Sequence, residues 1–406
     1  MLFRICATCA AVLTTLLFAM SVARAGVFVD AAGRWVVLPN RIERIMPAGP
    51  ASAVFVYALA PDKLIGWSAP LSRAQRALLP AKYARLPVVG QLGGPYPTAT
   101  ANDVLRLHPD VIIGYGTISP PTVALANRIQ QQTRIPYILL NDSIQLMPAT
   151  VRQLSPIIGA GEHGLAVGTY CFGAVDILRG QLLIISADDR PRVYYGRGPD
   201  GLETPLPGSP SASDIDQAGV INVAGALGRN AIVQVTREQI LTWNPQIVIA
   251  QQRSFYNQLL HSPEWRYLDA VRTKKVYLEP ASPFGWIDDP PGLNRAIGLY
   301  WLSSLFYPDV YQQNLGVVAR AFYQLFYGVQ LSDRQLQALI GPAENPATAS
   351  GQLANVPIFG AEPTPTPNLP PGTESVPPSG APGRGGLPPG GRTQPPVQIP
   401  GLPGSP

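Results

Sequence analysis

Histidine, charge and catalytic motifs are all scarce in this chain of 406 residues, and each scarcity argues against a class of function. The three histidines, His108, His163 and His261, show no metal-ligand spacing, so neither a metal site nor any other cofactor is predicted. The net charge is +5 without basic clusters, which argues against nucleic acid as a partner. There is no G-x-S-x-G elbow and no Walker loop, and therefore no catalytic residue is predicted.

The first residues have the pattern of a secretory signal peptide. Arg4 precedes an apolar run from Ile5 to Val22, and Ala23-Arg24-Ala25 forms a small-x-small cleavage site. A membrane anchor needs about 20 apolar residues, and the cleavage site favours the signal peptide instead. We therefore predict a signal peptide over residues 1–25 and a periplasmic protein after it. Its one remaining cysteine, Cys171, is predicted to be a buried small hydrophobic residue.

The composition changes abruptly at the other end of the chain. Residues 342–406 contain 18 prolines and 11 glycines, with Phe359 as the one aromatic residue. Such a segment buries too little apolar surface to offset the entropy of ordering, so it is predicted to be a disordered or extended tail. A passive tail, a wall-spanning tether and a ligand for a partner remain open as its role.

Two matching segments lie 136 positions apart, at Val104–Gly114 and Ile240–Ala250. Each contains the end of an apolar helix, a short turn that closes on proline, and an all-aliphatic strand. Aliphatic runs without alternation are typical of strands buried on both faces of a parallel sheet. The repeat predicts two similar α/β lobes with a ligand cleft between them.

A long apolar segment, Leu165 to Ile185, separates the two halves. It predicts a helix about 30 Å long, which could join the lobes or belong to the core of one of them. Its predicted buried face consists of Leu165, Phe172, Val175, Leu178, Leu182 and Ile185. The predicted fold class is therefore α/β, with two Rossmann-like lobes of parallel sheet joined by one long helix. The predicted boundaries are residues 26–161 for the N-terminal lobe, 162–186 for the helix and 187–341 for the C-terminal lobe.

A glycine-rich loop and several aromatic residues are candidates for ligand binding. The segment Gly196–Gly201 matches G-x-G-x-x-G after a strand, but nearby prolines exclude the helix that a dinucleotide site needs. The glycine-rich segment is instead interpreted as a mobile polar loop at a strand end. The pair Asp288-Asp289 is interpreted as part of a solvated loop. Rings at predicted strand ends, with two arginines for anionic oxygens, form the candidate ligand-binding set, although core packing is the alternative for each ring. The set is Trp67, Tyr96, Tyr115, Tyr195, Arg197, Arg253 and Trp286.

Short motifs in a fixed order cover residues 26 to about 308. They include Asp30-x-x-Gly33-Arg34, Leu107-His108-Pro109-Asp110-Val111, Gly219-x-x-Asn222-Val223-Ala224, Arg237-Glu238-Gln239-Ile240-Leu241, Ser262-Pro263-Glu264-Trp265 and Trp286-x-x-x-Pro290-Pro291. Together they resemble the periplasmic substrate-binding proteins of ABC importers for ferric siderophores, haem and cobalamin. The resemblance implies that ligand is held between two lobes and that closure around it is small.

The resemblance also implies partners. In the family, one glutamate on each lobe docks onto arginines of the membrane permease. Glu238 matches this position in the second lobe, whereas the first lobe has Asn102 there, which leaves Asp103 as its candidate. The stretch Pro283–Arg295 is similar to members that handle iron complexes or, in a smaller branch, molybdate and tungstate. We therefore predict a monomeric periplasmic receptor for an iron chelate. The alternatives are a receptor for an oxyanion or for cobalamin, an enzyme on a doubly wound fold, and an interaction protein that acts through its tail.

Overall fold

The computed structural model describes residues 26–340, so the predicted signal peptide and proline-rich tail lie outside the described residues. Within this range the chain forms two separate parallel sheets with helices around them and one long helix between them. The predicted fold class is confirmed. Among the described residues, none of the helices has both the length and the apolar character needed to cross a membrane.

The first lobe is built on a parallel sheet of order β3-β4-β5. Its strands are β3 (Ile45–Pro47), β4 (Val111–Gly116) and β5 (Tyr137–Asn141), preceded by an antiparallel hairpin of β1 (Gly26–Val29) and β2 (Trp35–Leu38). Its α-helices are Pro50–Leu59, Arg73–Leu78, Ala81–Ala84, Ala101–Leu107, Pro120–Thr133 and Met147–Leu154. Residues 64–67 and 88–89 form only isolated bridges, Ile45 with Leu64 and Trp67 with Val88.

The second lobe is built on a parallel sheet of order β11-β10-β6-β8. Its strands are β6 (Arg192–Gly196), β8 (Ile221–Asn222), β10 (Ile247–Ala250) and β11 (Val276–Leu278), with a separate hairpin of β7 (Glu203–Pro205) and β9 (Ile232–Gln234). Its α-helices are Ser213–Gln217, Arg237–Trp243, Arg253–His261 and Asp269–Arg272. The glycine-rich segment opens no helix, because Arg197 pairs with Glu203 as the chain turns into β7.

The sequence repeat is also a repeat of backbone conformation. In each lobe a threonine, Thr100 or Thr236, begins the helix with a reciprocal capping box. The same helix ends on a left-handed residue directly before proline: His108 with φ 46° in the first lobe and Asn244 with φ 41° in the second. A strand buried along its length follows in both lobes. The local signals for starting and stopping the helix therefore recur with the apolar pattern.

The predicted long helix runs over Gly161–Ile184. Leu178 is buried as predicted, but the predicted burial of Leu165 and Phe172 is wrong. Leu165 is 67% exposed and Phe172 is 58% exposed. The buried residues are Gly164, Val167, Tyr170, Cys171, Ala174, Leu178 and Gln181. Small residues occupy this face because neighbouring elements approach closely: a Cβ at Gly164 would lie 2.1 Å from Ser155 Oγ. The burial predicted for Cys171 is confirmed.

The closing helices tie the two lobes together. They are Arg295–Phe306, Leu315–Phe322 and Asp333–Ile340, with a π-helical turn at Tyr323–Tyr327. The first of them packs along the long helix, and the π-helical turn packs on the first lobe, where Tyr57 donates a hydrogen bond of 2.9 Å to the Tyr327 carbonyl. A Cβ at Gly298 would lie 1.9 Å from the Trp286 carbonyl oxygen. The helix that begins at Arg295 therefore lies directly on the preceding loop, and this contact fixes the position of Arg295.

Candidate functional site

A fully buried arginine lies where the two lobes meet. Arg295 is the first residue of its helix and is 0% exposed. Its guanidinium donates a hydrogen bond to the backbone carbonyl of Asp142, which directly follows β5 in the first lobe. On the other side, its Nη1 lies 3.6 Å from Oδ1 of Asp214 in the second lobe. Open parallel α/β sheets hold ligands at the carboxyl ends of their strands, and Arg295 reaches such an edge.

Several polar atoms around this arginine lack hydrogen bonds. The Tyr115 hydroxyl, Arg295 Nε and both carboxyl oxygens of Asp214 are buried and make none with the described residues. Tyr115 lies on β4, and its hydroxyl borders the guanidinium closely enough to raise the pKa of Arg295. Buried polar groups in folded proteins are ordinarily hydrogen-bonded. This group of atoms therefore has unused capacity to bind a polar ligand.

Burial changes the acidity of the groups in this site. It raises the pKa of Asp214 well above its ordinary value, and Arg295 opposes the rise only in part. Burial raises the pKa of Asp142 as well, again against the effect of Arg295. Burial works to lower the pKa of Arg295 itself, but Asp214, Tyr115 and Asp142 outweigh it and the net direction is upward. The arginine stays charged while the carboxyl group that faces it favours its neutral form.

A second buried acid organises the loop that leads to Arg295. Glu279 follows β11 directly and accepts a 2.7 Å hydrogen bond from the Tyr195 hydroxyl. Its other oxygen accepts the backbone N–H groups of Ile287 and Asp288, at 2.8 and 3.1 Å. Burial raises the pKa of Glu279 to about 7 in spite of these bonds. Within residues 26–340, no three His, Cys, Asp or Glu side chains are arranged to hold a metal ion.

Arg197, one of the predicted ligand-binding residues, is already paired with two acids. Its Nη1 donates to Glu203 at 2.6 Å, and its Nε lies 3.0 Å from Asp288 Oδ2. Asp288 is 3% exposed, so the interpretation of Asp288-Asp289 as solvated loop is wrong for Asp288. Sequence alone could not show that this loop folds inward onto an arginine 91 positions away. Arg253, the other predicted arginine, is exposed at the start of its helix.

The structure does not bring the five predicted rings into one wall. Trp67, Tyr115, Tyr195 and Trp286 are each no more than 5% exposed, whereas Tyr96 is 80% exposed. All five lie among the described residues, and the ring contacts there join no two of them; Trp67, for example, packs on other aromatic residues. Trp67, Tyr195 and Trp286 pack in the core, which is the alternative given above for each ring, because closing helices and loops cover the strand ends. Of the five rings, Tyr115 borders Arg295.

Sequence reasoning missed the acids and the arginine at the junction of the lobes. Glu279 and Asp142 each stand directly after a strand, at a position where ligand-binding side chains are common in such sheets. Arg295 is a single charge at the start of an otherwise apolar helix, which was a usable signal. No local pattern marks Asp214, which reaches the site from a five-residue helix.

The predicted docking residues lie in the first turns of the two repeated helices. Glu238 is exposed there. The two capping boxes align Asn102 with Glu238 and align Asp103 with the capping residue Gln239. Asp103 accepts hydrogen bonds from Thr100 and pairs with Arg106, so its carboxylate is engaged within its own helix. Asp103 is therefore not the structural counterpart of Glu238, and its docking role stays a prediction.

Comparisons with known proteins agree with this fold. The family model described as periplasmic binding protein matches residues 181–283. An ABC transporter solute binding protein from Sulfurospirillum deleyianum has a structure that superposes with a TM-score of 0.70 at 30% sequence identity. That alignment covers 77% of this chain and 98% of the other. The chain therefore belongs to the periplasmic binding proteins of ABC transporters.

Two further comparisons concern one relative. The molybdate-binding protein MolA of Haemophilus influenzae is 29% identical over 180 residues, which are 44% of this chain and 50% of that protein. The matched region thus spans about half the length of this curated relative. The structure of MolA bound to molybdate superposes with a TM-score of 0.61 at 22% identity, covering 76% of this chain and 99% of that one. At that identity the structural likeness is evidence for the fold alone.

Proposed function

We propose that this protein binds a small oxyanion, of the molybdate or tungstate kind, between its two lobes and delivers it to the membrane permease of an ABC importer. The observation that carries the proposal is the buried Arg295 guanidinium at the junction of the lobes, which has an unpaired Nε and is bordered by the Tyr115 hydroxyl. A guanidinium offers five N–H donors in one plane, and its hydrogen bonds to anionic oxygens are among the strongest in proteins. The partial match to a relative named for molybdate supports the same choice.

The iron chelate predicted from the sequence has weaker support. Siderophores and haem are large ligands that use broad flat contact area, whereas Trp67, Tyr195 and Trp286 are packed in the core. An oxyanion needs several donors and little aromatic surface, which agrees better with the residues around Arg295. Binding of an iron chelate stays a prediction, and comparing chelates with oxyanions as ligands distinguishes it from the proposed function.

The burial of Arg295 has a consequence for ligand entry. Its side chain is inaccessible to solvent, so an anion reaches it only when the lobes separate. Periplasmic binding proteins close around their ligands by such domain motions, and a single long helix as connector favours a small displacement. Binding favours the closed form to the extent that the anion contacts both lobes.

The proposed ligand class can be tested with thermal unfolding of the purified protein. Molybdate and tungstate are expected to raise Tm by several degrees, because a ligand at 100 times its Kd stabilises the folded state by about 2.7 kcal/mol. Haem, a ferric siderophore and cobalamin form the comparison panel, and sodium chloride at equal ionic strength is the control. A rise in Tm with a chelate and none with either oxyanion would contradict the proposal and favour the prediction from sequence.

Docking onto the permease can be tested at Glu238, which is exposed and matches the family's docking position. Glu238→Arg is expected to leave anion affinity unchanged while reducing uptake in cells at least tenfold, because it places like charge against permease arginines. Glu162→Arg is the matched control, since Glu162 is also exposed and also occupies the first turn of a helix. Equal uptake by the two variants would argue against the docking role, as would loss of anion binding in Glu238→Arg.

A further inference from the structure

The charges around Arg295 set a condition on any anion that binds there. The groups that face one another at the junction are the carboxyls of Asp142, Asp214, Glu279 and Asp288 and the guanidiniums of Arg197 and Arg295. If every carboxyl were ionised, acids would outnumber bases, and a dianion entering this buried space would meet net negative charge. Like charges in a buried site repel strongly because the effective dielectric constant is low. Each carboxyl that holds a proton lessens this repulsion, so protonation of these acids favours anion binding.

Burial and hydrogen bonding indicate which carboxyl holds a proton above neutral pH. Glu279 accepts three hydrogen bonds, from Tyr195 and from two backbone N–H groups, and its pKa of about 7 means that it is ionised at alkaline pH. Asp288 accepts a backbone N–H at 2.9 Å and pairs with Arg197. The Asp142 side chain is only half-buried, so water can solvate its charge.

Asp214 has an ion pair with Arg295, but no hydrogen bond from the described residues supports its charge. It is 1% exposed, neither of its oxygens accepts a hydrogen bond from the described residues, and Arg295 is 3.6 Å away. Burying a carboxylate without hydrogen bonds is costly, and such a group usually remains neutral instead. A neutral carboxyl group has an O–H that can donate to a ligand oxygen.

Resting on the proposed function, we propose that Asp214 is a specificity-determining residue, which keeps a proton and donates it in a hydrogen bond to an oxyanion held by Arg295. Arg295, the Tyr115 hydroxyl and Asp214 then all donate to the ligand. These donors suit a fully deprotonated anion such as molybdate, tungstate or sulfate, whose oxygens are all acceptors. Hydrogen phosphate carries its own O–H, which none of these three donors can accept, and it binds more weakly. The upward shift of the Asp214 pKa agrees with this assignment.

The proton makes anion affinity depend on pH, which calorimetric titration of molybdate from pH 6 to pH 10 can measure. For the wild type, affinity is expected to fall at the alkaline end by tenfold per pH unit, as one proton must be taken up for each anion bound. Asp214→Asn keeps the shape and an N–H donor but cannot ionise. It is therefore expected to match the wild type at pH 6 and to bind more tightly at pH 10. Identical pH profiles for the wild type and Asp214→Asn would overturn the assignment.

A control variant and a measurement of proton uptake test the assignment of the proton to Asp214 independently. Asp216→Asn alters a half-buried acid on the same helix that accepts a hydrogen bond from Gly208 instead of facing Arg295, and it should behave as wild type. Titrations in buffers with different ionisation enthalpies count protons without any variant: one proton taken up at the alkaline end supports the assignment, and none overturns it. Absence of molybdate and tungstate binding at every pH would instead refute the proposed function, and the assignment with it.

Discussion

Arg295→Met is expected to abolish measurable oxyanion binding. The substitution removes the buried charge and the donors that border both lobes, while the unbranched methionine side chain fills much of the same space. Removing one partner of a buried charged interaction costs about 2–5 kcal/mol, which corresponds to a loss of affinity of about 30-fold to several thousand-fold. Calorimetric titration with molybdate at pH 7 measures the loss. The fold should survive, because Asp214, the acid left without its countercharge, favours its neutral form.

Two further variants make this result specific. Arg128→Met is the same chemical change at an exposed position on the helix Pro120–Thr133, and it should leave affinity unchanged. Tyr115→Phe removes the unpaired hydroxyl and keeps the ring stacked on Phe55, with centroids 4.7 Å apart. A single neutral hydrogen bond contributes about 1 kcal/mol, so a loss of about fivefold is expected. Wild-type affinity in a folded Arg295→Met protein would show that the anion binds elsewhere or that the ligand is not an anion.

The parts of the fold that were predictable from sequence are those fixed by local interactions. The helix that ends at Leu107 and the strand from Val111 follow from a capping box, a left-handed residue before proline and an aliphatic run. The same signals recur in the second lobe, so the repeat predicted the two-lobed fold. Each of these features depends on residues within about ten positions of one another.

The candidate site depends instead on contacts between distant parts of the chain. Asp142, Asp214 and Arg295 come together from both lobes and a closing helix, and no spacing in the sequence encodes their proximity. The long helix shows the same limit: its buried face includes Gly164 and Ala174, which allow close packing, whereas the larger Leu165 and Phe172 are exposed. The sequence predicts ligand contacts for the rings at strand ends, because it does not show which of those ends the closing helices cover.

Glu279 is expected to make the protein less stable as pH rises. Its pKa in the folded protein is about 7, against an ordinary value of 4.5, so the folded state holds a proton that the unfolded state releases in that interval. The free energy of unfolding is therefore highest below the ordinary pKa and falls until the pH passes about 7, by about 3 kcal/mol from this group. Burial raises the pKa values of Asp142 and Asp214 as well, and their contributions have the same sign.

Urea unfolding between pH 4.5 and pH 8 of the wild type and of Glu279→Gln tests this expectation. The glutamine can keep accepting the N–H groups of Ile287 and Asp288 and can donate to Tyr195, so the loop is preserved while the titration is lost. Its stability should fall less steeply with pH than that of the wild type, and Glu162→Gln, at an exposed position, should follow the wild type. Equal slopes for Glu279→Gln and the wild type would mean that Glu279 is ionised throughout. The fall in the free energy of unfolding with pH would then come from another acid, among the carboxyls that face Arg295. The same urea unfolding of Asp214→Asn would test whether that acid is Asp214.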